Sequence, residues 1–304
     1  MGDGERRFKK VAGNGRRQKK EAFQIVRRLR AQYPVVLLCR VLGVTPGGYY
    51  AFCNRRPSER QREDAAIVAH MRQIHRRVSR TYGSPRMTVA LNEAGFSCAE
   101  NRVARLMRVN GIRAKMESRY KPRQWTSKSK IRKPNLLASR GFPGRPHETW
   151  VADFTYLSVG NSTLYLSVVM DLYTRKVVGY DFTNRRDGPM VKRTLQKARR
   201  ANQGVKTKIF HSDRGSEYAN HLIGEFLAQM GIEQSMSDKG NCYDNAHMES
   251  FFHSYKSEVL YGEKFSTKTE LIARTRSWMM FYNHHRYHSS LDYTSPLNFE
   301  KMAA

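Results

Sequence analysis

Three acidic residues stand where a carboxylate has chemistry to do. Asp153 lies inside TWVADFTYLSV (149–159), a stretch apolar on both faces that reads as a central, buried strand. An unpaired carboxylate there costs on the order of several kcal/mol, so it needs an arginine, a lysine or a metal ion. Asp213 closes KTKIFHSD (206–213), a second strand, just before Arg214-Gly215. The carboxyl end of a strand in an open sheet is where ligands gather. Glu249 lies on a helix beginning near Asn245. On that helix Met248, Phe251, Phe252, Tyr255 and Val259 fall within about 100° and form the core stripe. Asn245, Glu249 and Lys256 fall within about 40° of one another beside it, so an amide, a carboxylate and an ammonium share one rail. Two strand aspartates and a helix glutamate are hard oxygen ligands. They suit Mg²⁺ or Mn²⁺, as two ions that activate a water or a 3′-hydroxyl and stabilise the departing oxygen of an in-line phosphoryl displacement. Spacing alone leaves a structural alternative equally open, with Asp213 capping a turn and Glu249 solvated.

Other polar residues invite chemistry less. Asp171 precedes a hairpin turn and reads as a turn residue. Asp181 is a further candidate ligand, and Asp244 reads as the cap of the glutamate helix. His284 and His288 are four apart beside His285, but the sequence places no carboxylate with them, so packing or DNA contact is favoured over a metal. His211-Ser212-Asp213 does not make a hydrolase triad, which is recognised by geometry rather than adjacency. Cys39, Cys53, Cys98 and Cys242 form no C-x-x-C and read as reduced thiols of an ordinary cytosolic chain.

The elements that must position the acids follow from the pattern of apolar residues. From Glu148 onward the order is three strands (149–159, 163–172, 175–183), a helix (190–201), a strand (206–213), a helix (219–230), a short strand (232–236) and two helices (245–259 and 268–282). That order predicts an α/β domain with a mixed five-stranded sheet and helices on both faces. The front half is helical. A helix is expected from near Glu21, and helix–glycine turn–helix over 34–52, with Gly43 as the stop and Thr45 as a cap, outlines a helix-turn-helix. A second outline runs through Ala65, Ile67, Val68, Met71 and Ile74, restarts after Tyr82-Gly83-Ser84-Pro85 and breaks at Gly95. Ser97 can cap a third helix ending at Asn110-Gly111. On that helix Arg102, Arg105 and Arg108 recur every three residues, a row that can face a DNA groove while Val103, Leu106 and Met107 face the core.

Charge divides the 304-residue chain in the same way. Residues 1–150 carry 35 Lys/Arg against 10 Asp/Glu, and residues 151–304 carry 20 against 16. The front half is therefore a device for a polyanion, because each phosphate neutralised releases a condensed counterion. Residues 1–20 read as largely disordered or ordered only on DNA, and 121–147, a span with no acid, as a basic linker able to lie along a phosphate backbone. The expected organisation is 1–57 (basic segment with helix-turn-helix), 58–120 (second DNA-binding unit), 121–147 (linker) and 148–304 (catalytic core). No apolar run approaches the ~20 residues that span a bilayer, and the basic N-terminus has no apolar segment behind it, so no membrane or signal segment is expected.

Between Asp213 and Glu249 lie 35 residues. With WVADFTY (150–156), HSDRGSEY (211–218), SDKGNCYDNAHMESFF (237–252) and YNHHRYHSSL (282–291), plus Pro134-Asn135-Leu136-Leu137 in the linker, this resembles the D-D-(35)-E core of retroviral integrases. It resembles still more the OrfB-type transposases of bacterial insertion sequences. The resemblance covers about residues 35–300. It implies an RNase H-like core with Asp153, Asp213 and Glu249 as catalytic metal ligands, N-terminal helix-turn-helix units on the element's terminal inverted repeats, and strand cleavage followed by strand transfer. It further implies Asn245, Lys256 and Arg286 near DNA, with Lys256 on a phosphate by the scissile bond. A homodimer or larger synaptic assembly is implied, with possible fusion to an upstream-frame helix-turn-helix/leucine-zipper product. The location is cytoplasmic, at the nucleoid. The His/Cys spacing of the integrase zinc module is lacking, so no zinc is expected. Two competing readings are a catalytically silent DNA-binding regulator, against which the intact triad weighs, and a plain RNase H-type nuclease, against which the basic front half weighs.

Overall fold

The structure is a computed structural model that describes residues 16–115, 131–160, 162–238 and 245–303. Residues up to 15 of the segment expected to be disordered or ordered only on DNA, the first part of the linker (121–130) and the Asp244 cap lie outside the described residues, as does Cys242. The chain forms two compact units, Met1–Ile67 and Val68–Ala304.

In the first unit, α1 (Arg16–Leu29), α2 (Val35–Val41) and α3 (Pro46–Asn54) surround a small core of Val26, Leu38, Cys39 and Tyr49. Gly43 turns the chain at φ +64, a conformation that a Cβ disfavours. Thr45 then caps α3 by accepting from Gly48 N at 3.1 Å, as the sequence indicates. Helix α4 (Glu59–Arg77) follows.

The second unit begins within α4 and continues with α5 (Ser84–Glu93) and α6 (Glu100–Val109), which bury Met87, Ala90, Leu91, Val103, Leu106 and Met107. One cap differs from expectation. The N-cap of α6 is Ala99, with no side-chain hydrogen bond, and Ser97 stands outside the helix. Charge replaces the missing cap in part, since Glu100 occupies the first turn where the helix dipole favours an acid.

A five-stranded sheet of order β3-β2-β1-β4-β5 forms the centre. Its strands are β1 (Thr149–Val159), β2 (Ser162–Asp171), β3 (Val177–Thr183), β4 (Ile209–Ser212) and β5 (Glu233–Met236). The first three are antiparallel, and β1 pairs parallel with β4, as does β4 with β5, giving the mixed sheet that the element order predicts. Its faces are covered separately. On one lie α10 (Ala246–Tyr255) and α11 (Lys268–His284), with Met248, Phe251, Phe252, Leu271 and Trp278 against Val151, Leu166 and Val168. On the other lie α8 (Gly188–Ala201) and α9 (His221–Gln229), with Val191, Leu195, Ile223 and Leu227 against Trp150, Ala152 and Phe210. Helix α8 approaches so closely that a Cβ on Gly179 would lie 2.7 Å from that of Ala198. Between Tyr255 and α11 the chain makes a π-turn, Lys256–Leu260, where a plain α-helix to Val259 is expected. Helix α12 (Pro296–Ala303) ends the described chain.

The linker is less featureless than its composition indicates. It holds a short helix, α7 (Leu136–Arg140), capped by Asn135 Oδ1 accepting from Ala138 N at 3.1 Å. Met236 N donates to Pro134 O, and Leu136 N to Ser235 Oγ. The linker thus covers the open edge of β5, which would otherwise offer unpaired backbone groups.

Candidate active site

Sheet register brings the two aspartates together. Ala152 of β1 stands opposite Ser212, the last residue of β4, so Asp153 in β1 and Asp213, one residue past the end of β4 rather than inside the expected 206–213 strand, are neighbours. Side chains alternate along β1. Asp153 therefore shares a face with Val151, Leu157 and Val159, the face on which α10 packs and from which Glu249 is presented. Asp153 and Asp213 are largely enclosed, whereas Glu249 is exposed on the first turn of α10.

The electrostatics are those of an acidic cluster short of cations. Burial, and next the charge of Asp213, push Asp153 well above the usual carboxylate range, with further contributions from Glu217 and Glu249. Asp153 Oδ1 accepts from Phe154 N at 2.8 Å, which opposes the shift only in part. Burial likewise raises Asp213, countered by Gly215 N donating to Oδ1 at 2.9 Å and by Arg186. Among the described residues, the buried Tyr218 hydroxyl and Asn245 Oδ1 have no hydrogen-bond partner. Burial and then the charges of Asp153 and Asp213 drive Tyr218 upward, so its hydroxyl feels the same cluster.

Glu217 belongs to this neighbourhood and carries no signal of its own beyond lying in HSDRGSEY. Its buried carboxylate receives Arg186 Nε and Nη2 at 3.1 Å each. The Arg186 guanidinium in turn lies 4.4 Å from the centre of the Phe154 ring, beside Asp153. Gly215 leaves room here, because a Cβ on it would meet the Glu217 carboxylate and lie 2.9 Å from Asp213 Oδ1, so either carboxylate would have to shift.

The remaining expected residues are distributed as follows. Lys256 opens the π-turn with Nζ 5.7 Å from the centre of the Tyr156 ring, lowered by burial and supported by Tyr156 and Asp153. Asn245 is the N-cap residue of α10, without a capping hydrogen bond. Arg105 and Arg108 are exposed on α6 and Arg102 is half-buried, opposite the buried Val103, Leu106 and Met107. Arg286 is not at the surface. It is 2% exposed, and its Nε and Nη2 bond to Glu258 at 2.6–3.1 Å. That pairing leaves the guanidinium no open face for a phosphate. Asp171 is buried and accepts from Thr174 N and Oγ1 and His147 N, the turn role expected of it. Asp181 is engaged by Arg193 and Lys197. His288 packs against Tyr282, with Nε2 3.3 Å from its hydroxyl. His211 bridges Ser235 and Ser237, tying β4 to β5.

A mixed sheet of this order, with one aspartate in a central strand, another just past the end of the parallel strand beside it and a glutamate on the covering helix, defines an integrase-type core. Residues 143–242 and 230–296 match integrase core domain families, and residues 61–120 match an HTH-like domain family. The chain is 35% identical over 265 residues to an uncharacterized 31 kDa protein of insertion element IS600 from Shigella sonnei, covering 87% of this chain and 97% of that one. It is 34% identical to the transposase of insertion sequence element IS904 from Lactococcus lactis, covering 82% and 98%. It is 32% identical to transposase InsF of IS3A from Escherichia coli, covering 91% and 98%. The chain belongs to this family of insertion-sequence transposases. Among solved structures it is similar to the catalytic core of HTLV-2 integrase in complex with magnesium, at 13% identity and TM-score 0.39 over 52% of this chain and 98% of that one. The family and the HTH-like domain make DNA the partner. Among the described residues no single helix is long and apolar enough to cross a membrane.

Proposed function

We propose that Asp153, Asp213 and Glu249 are the metal-holding, catalytic carboxylates of this transposase, cutting the ends of its element and joining them to target DNA. The observation that carries this reading is the pairing of Asp153 with Asp213. Two enclosed, mutually repelling carboxylates face the helix that bears Glu249, and the Tyr218 hydroxyl, without a hydrogen-bond partner among the described residues, feels both charges. Such an arrangement is unfavourable without a cation and suits a hard one, Mg²⁺ or Mn²⁺. Among the described residues no three acidic, histidine or cysteine side chains stand close enough to share one ion, so Glu249, on the exposed side of α10, closes on the aspartates when an ion and DNA are present. When bound, a pair of ions supplies an activated water or 3′-hydroxyl and a charge for the departing oxygen. The chain's own residues do the rest. Asp153 and Asp213 fix the position on the rigid sheet, Lys256 holds a phosphate near the scissile bond, and Asn245 contacts DNA at the start of α10. Arg102, Arg105 and Arg108 face the element end from the unit expected over 58–120. Arg286 is reassigned from DNA contact to the frame, for the reason its burial gives. A homodimer or larger assembly, each copy serving one end in the cytoplasm, fits the need to bring two ends together.

The test is an assay on a duplex bearing the inverted repeat that borders this coding region, in Mg²⁺ and in EDTA. Cleavage and joined products are expected in Mg²⁺ only. Asp153→Asn, Asp213→Asn and Glu249→Gln should each lose at least about 10³-fold in cleavage while end binding stays within about twofold. Cleavage undiminished in Asp153→Asn overturns the site. Cut but never joined products would favour a nuclease, and binding without cutting in the unsubstituted chain a silent regulator.

A further inference from the structure

The closing motif YNHHRYHSSL, the π-turn and the helical pair α5–α6 converge on one carboxylate, Glu258, which the acidic triad does not use. Glu258 is buried and accepts from Arg286 and, at 2.9 Å, from Trp278 Nε1. It sits in the π-turn that continues α10, nine positions beyond Glu249 and two beyond Lys256. A π-turn is a register defect in a helix, and such defects concentrate at functional sites.

Two contacts from the helical pair and its flanks reach this turn, and a third reaches the closing motif that holds Arg286. Arg86, in the first turn of α5, places Nη1 3.9 Å from Glu258 Oε1. Lys115, beyond α6, bonds through Nζ to Glu258 O at 3.4 Å and Glu263 Oε1 at 2.8 Å. Tyr82, in the turn before α5, donates to His285 O and accepts from Tyr287 N, each at 3.1 Å, on either side of Arg286. Its ring stacks on Tyr287 at 5.4 Å and lies 6.0 Å from the Arg86 guanidinium. Tyr287 closes the arrangement through a hydrogen bond to Glu93 at the end of α5. Two guanidinia therefore compete for one carboxylate. Arg286 holds it at bonding distance, and Arg86 waits about an ångström beyond it.

We propose that Arg86 is a positioning residue for Lys256 and Glu249, acting through Glu258, so that the seating of α5–α6 on DNA sets the register of the helix that completes the acidic site. A shift of α5 toward the core draws Arg86 onto Glu258. The carboxylate then pulls on the π-turn, whose fifth-residue hydrogen bonding can relax toward the α form. That rotation carries Lys256 and Glu249 together, because both belong to the same helical run. Cleavage thus becomes conditional on a correctly docked element end. The inference rests on the assignment of Glu249 to the triad.

The test uses the full chain and the terminal-repeat duplex. Arg86→Gln and Arg86→Lys are compared with the unsubstituted chain for end affinity, melting temperature, single-turnover cleavage in Mg²⁺, and amide hydrogen exchange over 246–260 with and without DNA. Arg86→Gln should keep affinity within about twofold and melting within about 2 °C. It should lose about tenfold in cleavage and lose the DNA-induced protection of 246–260. Arg86→Lys should recover part of both. Tyr82→Phe, which removes one hydroxyl far from the acids, should show the same pattern more weakly. Loss of cleavage in step with affinity makes Arg86 a DNA contact and overturns the coupling, and loss in step with melting makes it structural and overturns it too. Unchanged cleavage and protection overturn it outright. Asp153→Asn, run alongside, separates this failure from failure of the triad: if it still cuts, the site assignment falls, and if only Arg86→Gln still cuts, the coupling alone falls.

Discussion

Two sets of enclosed carboxylates, Glu258 on one hand and Asp153 with Asp213 on the other, are treated by the protein in opposite ways. Around Glu258, Arg286 supplies a paired guanidinium and Trp278 a ring N–H, so the charge is balanced and its oxygens are bonded. Around Asp153 and Asp213 the guanidinium of Arg186 is bonded to Glu217, burial raises both aspartates, and the charge of Asp213 raises Asp153 further. A satisfied buried ion pair resists removal of either partner, because the survivor is left charged in a poor solvent. A frustrated pair is relieved by the same removal. The difference separates an acid that frames the molecule from acids held ready for a cation.

The comparison breaks or sharpens under three substitutions. The largest effect on folding is expected from Glu258→Gln, which strands Arg286. Urea denaturation should show a loss of about 3–5 kcal/mol. A loss below about 1 kcal/mol would put Glu258 in the same class as the aspartates. Next, Asp153→Asn in metal-free buffer at neutral pH should melt at or above the unsubstituted chain, by up to a few degrees or so. Added Mg²⁺ should raise the melting temperature of the unsubstituted chain and leave the variant unmoved. A variant as unstable as Glu258→Gln would erase the contrast. The smallest effect concerns His288, which burial, then Arg286 and neighbouring cations, hold down to about 3. An ordinary histidine titrates near 6.5, so between about 6.5 and about 3 the unfolded chain binds the extra proton. The stabilisation from this neutral imidazole is therefore complete above that window and declines as pH falls through it. His288→Asn should flatten the fall in stability across that window by up to one proton, and an unchanged slope would mean that the imidazole is not held neutral.

Much of the core was legible in the sequence because strands and helices carry their own periodicity. The doubly apolar 149–159 segment did become the central β1, and the stripe of Met248, Phe251, Phe252 and Tyr255 did pack on the sheet. Local capping rules served where the cap is local, as at Thr45, and failed at Ser97, where Glu100 in the first turn takes over. Partnerships between distant segments left no such trace. Arg286 reads as a basic residue in a basic motif, and only its meeting with Glu258, 28 positions away, turns it inward. Arg186 and Glu217 carry no mutual spacing rule at all. The linker's Pro134 and Leu136 show their purpose only where β5 would otherwise end the sheet bare.

The sequence by itself determined the α/β order, the basic helical front, and that Asp153 stands on a strand and Glu249 on a helix, because each is written in local apolar spacing and charge. The tertiary structure decided which charges are neutralised. That choice depends on which side chains, remote along the chain, meet in a medium too poor in water to leave a lone ion tolerable.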